Sequence, residues 1–124
     1  MNAWTSDELD RIGTAEELEL QSLRPDGTLR KPVTIWVVRV VGGLYVRCVN
    51  GRDGTWFRGT QQRHEGHIAS GGVNKDVTFE DADESVYDLV DAEYRTKYHG
   101  YSARIVNTDL TKKARASTLK LTPR

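Results

Sequence analysis

The run PVTIWVVRVV, from Pro32 to Val41, constrains the fold more than any other stretch of the chain. Its side chains alternate: Val33, Ile35, Val37, Arg39 and Val41 point one way, and Thr34, Trp36, Val38 and Val40 point the other. Both faces are largely apolar, as in a strand covered on both sides. Gly42-Gly43 then predicts a tight hairpin into LYVRCV, residues 44–49. A two-residue loop at those glycines pairs Val41 with Leu44 and sets Val38 opposite Arg47. Thr34, Trp36, Val38, Tyr45, Arg47 and Val49 then share one face, with Val46 and Cys48 on the other beside Val37 and Arg39.

The flanking segments supply the partners for such a hairpin. Thr5 and Glu8 have capping-box spacing, with acidic residues in the first turn and Gly13 placed to end a short helix. ELELQSL alternates at period two, with Leu18, Leu20 and Ser22 on one side, and reads as a strand. Arg24–Thr28 is a turn, because Pro25 fixes φ and Gly27 supplies the unusual backbone angle. TWFRGTQQR predicts a helix over residues 55–63, capped by Asp53 or Thr55. GHIAS, Gly71-Gly72 and VNKDVTFED predict a second hairpin. From Asp83 onward Tyr87, Val90, Tyr94, Tyr98 and Tyr101 recur at steps of three and four, the apolar stripe of a long helix. STLKLTP predicts a closing strand. About six strands in antiparallel hairpins, with a long helix before the last, indicate one small barrel over residues 1–124. Closure removes the free edges of such a sheet.

Several classes of function fit poorly. Eighteen basic residues balance eighteen acidic ones, whereas a duplex nucleic-acid binder carries a positive excess. Cys48 is the sole cysteine, which excludes an intrachain disulfide and a cysteine zinc cluster. His64 and His67 in HEGH lack a third ligand nearby, so they read as polar loop residues and no metal site is expected. No glycine-x-serine-x-glycine elbow is present. The carboxylates Glu80, Asp81, Asp83 and Glu84 precede a helix and suit its dipole better than acid–base chemistry. The N-terminus does not read as a signal peptide, and the Val33–Val41 run is too short to span a bilayer. A soluble, cytoplasmic protein is expected.

The loop NGRDGTWFRG, residues 50–59, is the segment with binding chemistry. Gly51 and Gly54 allow amides to turn toward a ligand, and the helix that follows offers its positive end. Arg52 and Arg58 add charge there, and Arg47 approaches from the preceding strand. Arginine's fork suits phosphate oxygens. A plain strand-to-helix turn with solvated arginines accounts for the same composition. Tyr87 and Tyr94 read as core, while Tyr98 and Tyr101 are placed either to pack inward or to touch a flat ring system.

The segments DELDRIG, RPDGTLRKPVTIWVVRV, LYVR, GRDGTWFR, GGVNKDVTF, YRTKY and TLKLTPR occur in an order that resembles the bacterial family called domain of unknown function 2255. That family is similar to the FMN-binding split β-barrels, the group of pyridoxamine phosphate oxidase and the deazaflavin-dependent nitroreductases. The resemblance implies a six-stranded antiparallel split barrel, a homodimer with its cofactor between subunits, and FMN or a deazaflavin (coenzyme F-420) as that cofactor. It places Arg30 and Pro32 in a basic turn leading into a strand, and Gly51 and Trp56-Phe57 in the cofactor loop. Arg30, Gly51 and Trp56 are thus implied cofactor ligands, and the face and loop patterns add Thr34, Arg47 and Arg58. The sequence departs from the deazaflavin pattern at Arg58-Gly59, which replaces Asn-Leu, at Thr55, which replaces proline, and at Gly27-Thr28, where a Lys-Ser pair is usual. The expected function is a flavin- or deazaflavin-dependent oxidoreductase. The alternatives are a non-redox module for a planar anion (nucleotide, flavin or tetrapyrrole) and a ligand-free dimeric scaffold.

Overall fold

Thr5 and Glu8 cap each other as their spacing predicts. The Glu8 amide donates to Thr5 Oγ1 at 3.1 Å and the Thr5 amide to Glu8 Oε1 at 2.9 Å, starting helix α1, Ser6–Thr14. The computed structural model describes residues 3–124. Gly13 does not end α1 but lies in its last turn, where a Cβ would stand 3.2 Å from the Arg39 side chain. Its bareness therefore serves the approach of a strand. Strand β1, Leu18–Ser22, buries Leu18, Leu20 and Ser22 as the alternation requires, and Gly27 takes φ +88° in the turn that follows.

The long apolar run is not one strand. It splits into β2, Val33–Ile35, and β3, Val38–Val40, around Trp36 and Val37. β2 pairs antiparallel with β1, whereas β3 pairs with β4, Gly43–Val46. The helix α3, Tyr87–Lys97, and the residue after it satisfy the backbone at the break. The Val37 amide donates to Tyr98 Oη at 3.2 Å, Lys97 Nζ donates to the Val37 carbonyl at 2.6 Å, and Tyr98 Oη itself donates to the Glu16 carbonyl at 2.7 Å. The remaining strands are β5, Glu65–Ser70, β6, Val73–Asp81, and β7, Leu119–Pro123. The sheet order is β2-β1-β5-β6-β7-β4-β3. Its two ends are consecutive pieces of one chain segment, so the sheet curls round to meet itself. The fold is an antiparallel split β-barrel with helices, and the expected six strands become seven because the central one breaks.

The first hairpin also differs from expectation. Its loop is Val41-Gly42, and Val38 pairs with Tyr45, Arg39 with Leu44 and Val40 with Gly43. Gly43 is needed inside the strand, since a Cβ there would come within 2.9 Å of the Tyr45 ring. The predicted register is wrong by two residues, an even slip that keeps the strand side chains on their predicted faces, while Val41, expected in the strand opposite Leu44, becomes an exposed turn residue with φ +53°. Inside the barrel, Val37, Leu44, Val46 and Cys48 pack with Leu18, Leu20, Ile68, Phe79 and Leu121. Outside, Val38 and Tyr45 pack with Val90, Tyr94, Tyr98 and Val106. The outer apolar face is thus covered by α3 and by the short helix α4, Ala103–Asn107, without recourse to a second subunit. The second hairpin turns at Gly71-Gly72, as expected, with φ +57° and +84°.

Candidate functional site

The loop after β4 folds into a 3₁₀ turn, Gly51–Asp53, and then helix α2, Thr55–Arg63. Gly51 takes φ +73°, and a Cβ on it would lie 3.0 Å from the carbonyl oxygen of Lys113, at the start of the short helix α5, Lys112–Arg115. Its amide donates to the Cys48 carbonyl at 2.8 Å. Gly51 therefore closes the turn rather than pointing at a ligand. The expected caps Asp53 and Thr55 are not used: Gly54 is the N-cap and no side chain caps α2. A Cβ on Gly54 would fall 2.3 Å from Cys48 Sγ. Burial pushes the Cys48 thiol up, against the pull of the amides of Asn50, Gly51 and Phe57. Cys48 is a packed, inert thiol.

The uncapped end of α2 opens on a cleft of about 480 Å³ lined by Arg24, Arg30, Lys31, Asn50, Thr55 and Trp56, with Leu20 and Val33 as apolar wall. No carboxylate lines it. Arg30 is oriented by the protein: Nη1 donates to the Leu23 carbonyl at 2.8 Å and to Ser22 Oγ at 3.3 Å, and Nη2 to Gln62 Oε1. Gly59 makes this possible, because a Cβ there would meet Ser22 Oγ at 2.7 Å and the Arg30 side chain at 3.4 Å. The departure at Arg58-Gly59 thus has a local cause. Helix α2 lies close over the half-buried side chain of Arg30.

A second cavity of about 300 Å³ adjoins the first. It shares Cys48, Asn50 and Trp56 with the cleft and is lined further by Thr34, Trp36, Val49, Ile105 and Asp109. Trp36 stacks on Tyr98 with ring centres 3.9 Å apart and 6° between planes. Tyr98 is buried and supports this wall, whereas Tyr101 stays partly exposed.

Of the predicted ligands, Arg30 and Trp56 line the cleft, and Thr34 lies on the exposed face of β2 at the second cavity. Arg58 is exposed on α2, lines neither space, and forms no ion pair among the described residues. Arg47 requires correction. Its side chain is fully buried, and it donates to Asp91 Oδ1 at 2.5 Å, Thr118 Oγ1 at 2.9 Å, and the carbonyls of Asp109 and Tyr87 at 3.0 Å each. Its guanidinium joins the barrel to the outer helices and is spent there. Arg24 and Lys31 were missed, although they flank Arg30 in the same basic segment and so carried a legible signal. Asp109 had none, since the stretch between α3 and β7 shows no periodicity. His67, set aside as a polar residue, pairs with Asp76 at 2.9 Å across the second hairpin.

Residues 8–121 match the family described as "Uncharacterized protein conserved in bacteria (DUF2255)". No functionally curated protein matches the chain. Among solved structures, the chain is similar to a conserved hypothetical protein from Mycobacterium tuberculosis, at 12% identity and TM-score 0.60, over 99% of this chain and 81% of that one. It is similar to an F420 reductase at 13% identity and TM-score 0.56, over 94% and 90%. A FAD-binding protein from Mesorhizobium loti aligns at 12% identity and TM-score 0.57, over 98% and 89%. At these identities the likeness establishes the fold. Among the described residues, no helix is long and apolar enough to cross a membrane.

Proposed function

The chain belongs to the bacterial family DUF2255, and from that premise we propose that it binds a flavin-type cofactor, FMN or a deazaflavin, and acts as an oxidoreductase. The cleft's charge carries this assignment. Arg24, Arg30, Lys31 and the uncapped amides of α2 converge on one space with no carboxylate among its lining residues, the chemistry that holds a phosphate. Leu20, Val33 and the half-buried ring of Trp56 offer apolar surface for a flat ring system. The residues present therefore fit a phosphate-bearing flavin. The similarity in fold to an F420 reductase and a FAD-binding protein supports the same class. When bound, the cofactor supplies hydride transfer, and the protein supplies placement and electrostatics.

Titration of the purified protein with FMN and with the deazaflavin tests this directly. Saturable binding of one of them is expected, weakened in Arg30→Ala by about 1.5–3 kcal/mol as a charge-assisted contact is lost. Absence of binding by either at high micromolar concentration rejects it. Thermal stabilisation by nucleotides or tetrapyrroles alone would move the assignment to a non-redox module.

The proposal includes a homodimer. Val49 and Ile105 are 43% and 48% exposed, and with Thr34, Trp36 and Trp56 they rim the second cavity. A second copy meeting this rim through a two-fold axis would cover it and complete the cofactor's surroundings.

A further inference from the structure

The two adjoining cavities have opposite electrostatic character. In the second, the guanidinium of Arg47 is fully buried and matched by Asp91, and Arg115 is matched by Asp88 and Asp91. That leaves Asp109, which is 6% exposed and lines the cavity. Its carboxylate takes no hydrogen bond and no ion pair from any described residue, whereas its backbone amide donates to the Val106 carbonyl at 3.0 Å and its backbone carbonyl accepts from Arg47. A carboxylate so little exposed normally has a partner. Burial pushes its carboxyl up to about 6, with Arg47 drawing it back, so it is ionised at pH 7.5. The apolar part of the wall is Trp36, Trp56, Ile35, Val49 and Ile105, and Thr34, Asn50, Thr108 and the acid-paired Arg47 also line it.

We propose that this cavity is the substrate pocket and that it takes an aromatic compound bearing a protonated amine, with Asp109 as the group that binds the amine. Aromatic and aliphatic walls with a few polar groups among them are the usual composition of a small-molecule site, and about 300 Å³ is an adequate size. Trp36 and Trp56 supply aromatic wall for an aromatic body, and Asp109 supplies the one unmatched charge. Trp56 lines both this pocket and the cationic cleft, so ligands of opposite charge would touch the same residue. Calling the occupant a substrate rests on the flavin assignment; the pocket's preference for an amine does not.

The test uses the full-length protein with nitrogen-15 label, following the indole signals of Trp36 and Trp56 in an NMR titration at pH 7.5. The probes are 2-phenylethylamine and 3-phenylpropionate, similar in shape and opposite in charge. Saturable shifts of both indoles by the amine are expected, with shifts at least tenfold weaker for the acid. Asp109→Asn should weaken the amine by about tenfold or more while leaving FMN binding within twofold. Ile105→Trp, which fills the mouth and leaves the carboxylate in place, should also block the amine. Conversely, Arg30→Ala should weaken FMN and spare the amine. The proposal is overturned if the amine shifts neither indole, if the acid binds as well as the amine, or if Asp109→Asn holds it within twofold. Failure of FMN and deazaflavin to bind, with the amine still binding through Asp109, would remove the flavin assignment and the word substrate, yet leave the amine site standing.

Discussion

Arg47 makes four hydrogen bonds inside the protein and lies 5.5 Å from the ring centre of Tyr94. Removing it would leave Asp91 with only Arg115, at 3.4 Å, as a charge partner and would take a donor from Thr118 and from the carbonyls of Tyr87 and Asp109. Arg47→Ala is expected to lower unfolding free energy by about 3–5 kcal/mol, the cost of breaking a buried pair from one side. Arg39 is half-exposed, bonded to Asp10 at 2.7 Å, so Arg39→Ala should cost about 0–1 kcal/mol. Denaturant melts of the two variants decide this, and equal losses would refute the contrast. Asp109 is a different case, because its folded pKa of about 6 lies above its ordinary value of 3.8. The native state then holds a proton that the unfolded state has released between those two pH values. The stabilisation this gives is complete below about pH 3.8 and lost as pH rises through 6. Asp109→Asn removes that loss, so the variant should gain stability relative to the parent progressively above pH 4 and level off beyond about pH 7. Melting curves taken from pH 4 to pH 8 would show it, and a constant difference would disprove it.

At the scale of elements, the break between β2 and β3 is held by Tyr98 and Lys97, which bond the amide and the carbonyl of Val37. Tyr98→Phe keeps the stack on Trp36 but leaves the Val37 amide without its acceptor. A cost of about 1–3 kcal/mol is expected, with faster hydrogen exchange at Val37 as the local readout. This break was not legible in the sequence. Residues 33–41 are apolar on both faces, so alternation gives no sign of where pairing changes partner, and the cause lies 61 positions away. Other elements were legible because one local rule decides each. The Thr5–Glu8 box and the Gly71-Gly72 turn both follow from short-range chemistry. So did the faces of the first hairpin, which survived a register error because that error was even. Helices α4 and α5 were not, since five and four residues carry too little periodicity. Of the site, Arg30 and Trp56 were readable from a basic turn and an aromatic loop. The spending of Arg47 on Asp91 was not, because Asp91 is 44 residues distant and its pairing is tertiary.

Across the whole molecule, the proposed dimer is the claim with the most direct measurement. Light scattering at micromolar concentration should give twice the 14.0 kDa chain mass, and Ile105→Glu on the apolar rim should shift it to the monomer. A monomeric parent would reject the dimer and any pocket shared between subunits. The clasp at Val37 reaches further than its energy suggests. Tyr98 ties together backbone groups 61 and 82 positions away in sequence, so each bond must wait for a long loop to close and gains nothing before that. The hoop of strands therefore shuts late in folding. Loosening the clasp should speed unfolding while leaving the folding rate nearly unchanged. The lifetime of the closed barrel, rather than the time taken to build it, is what Tyr98 sets.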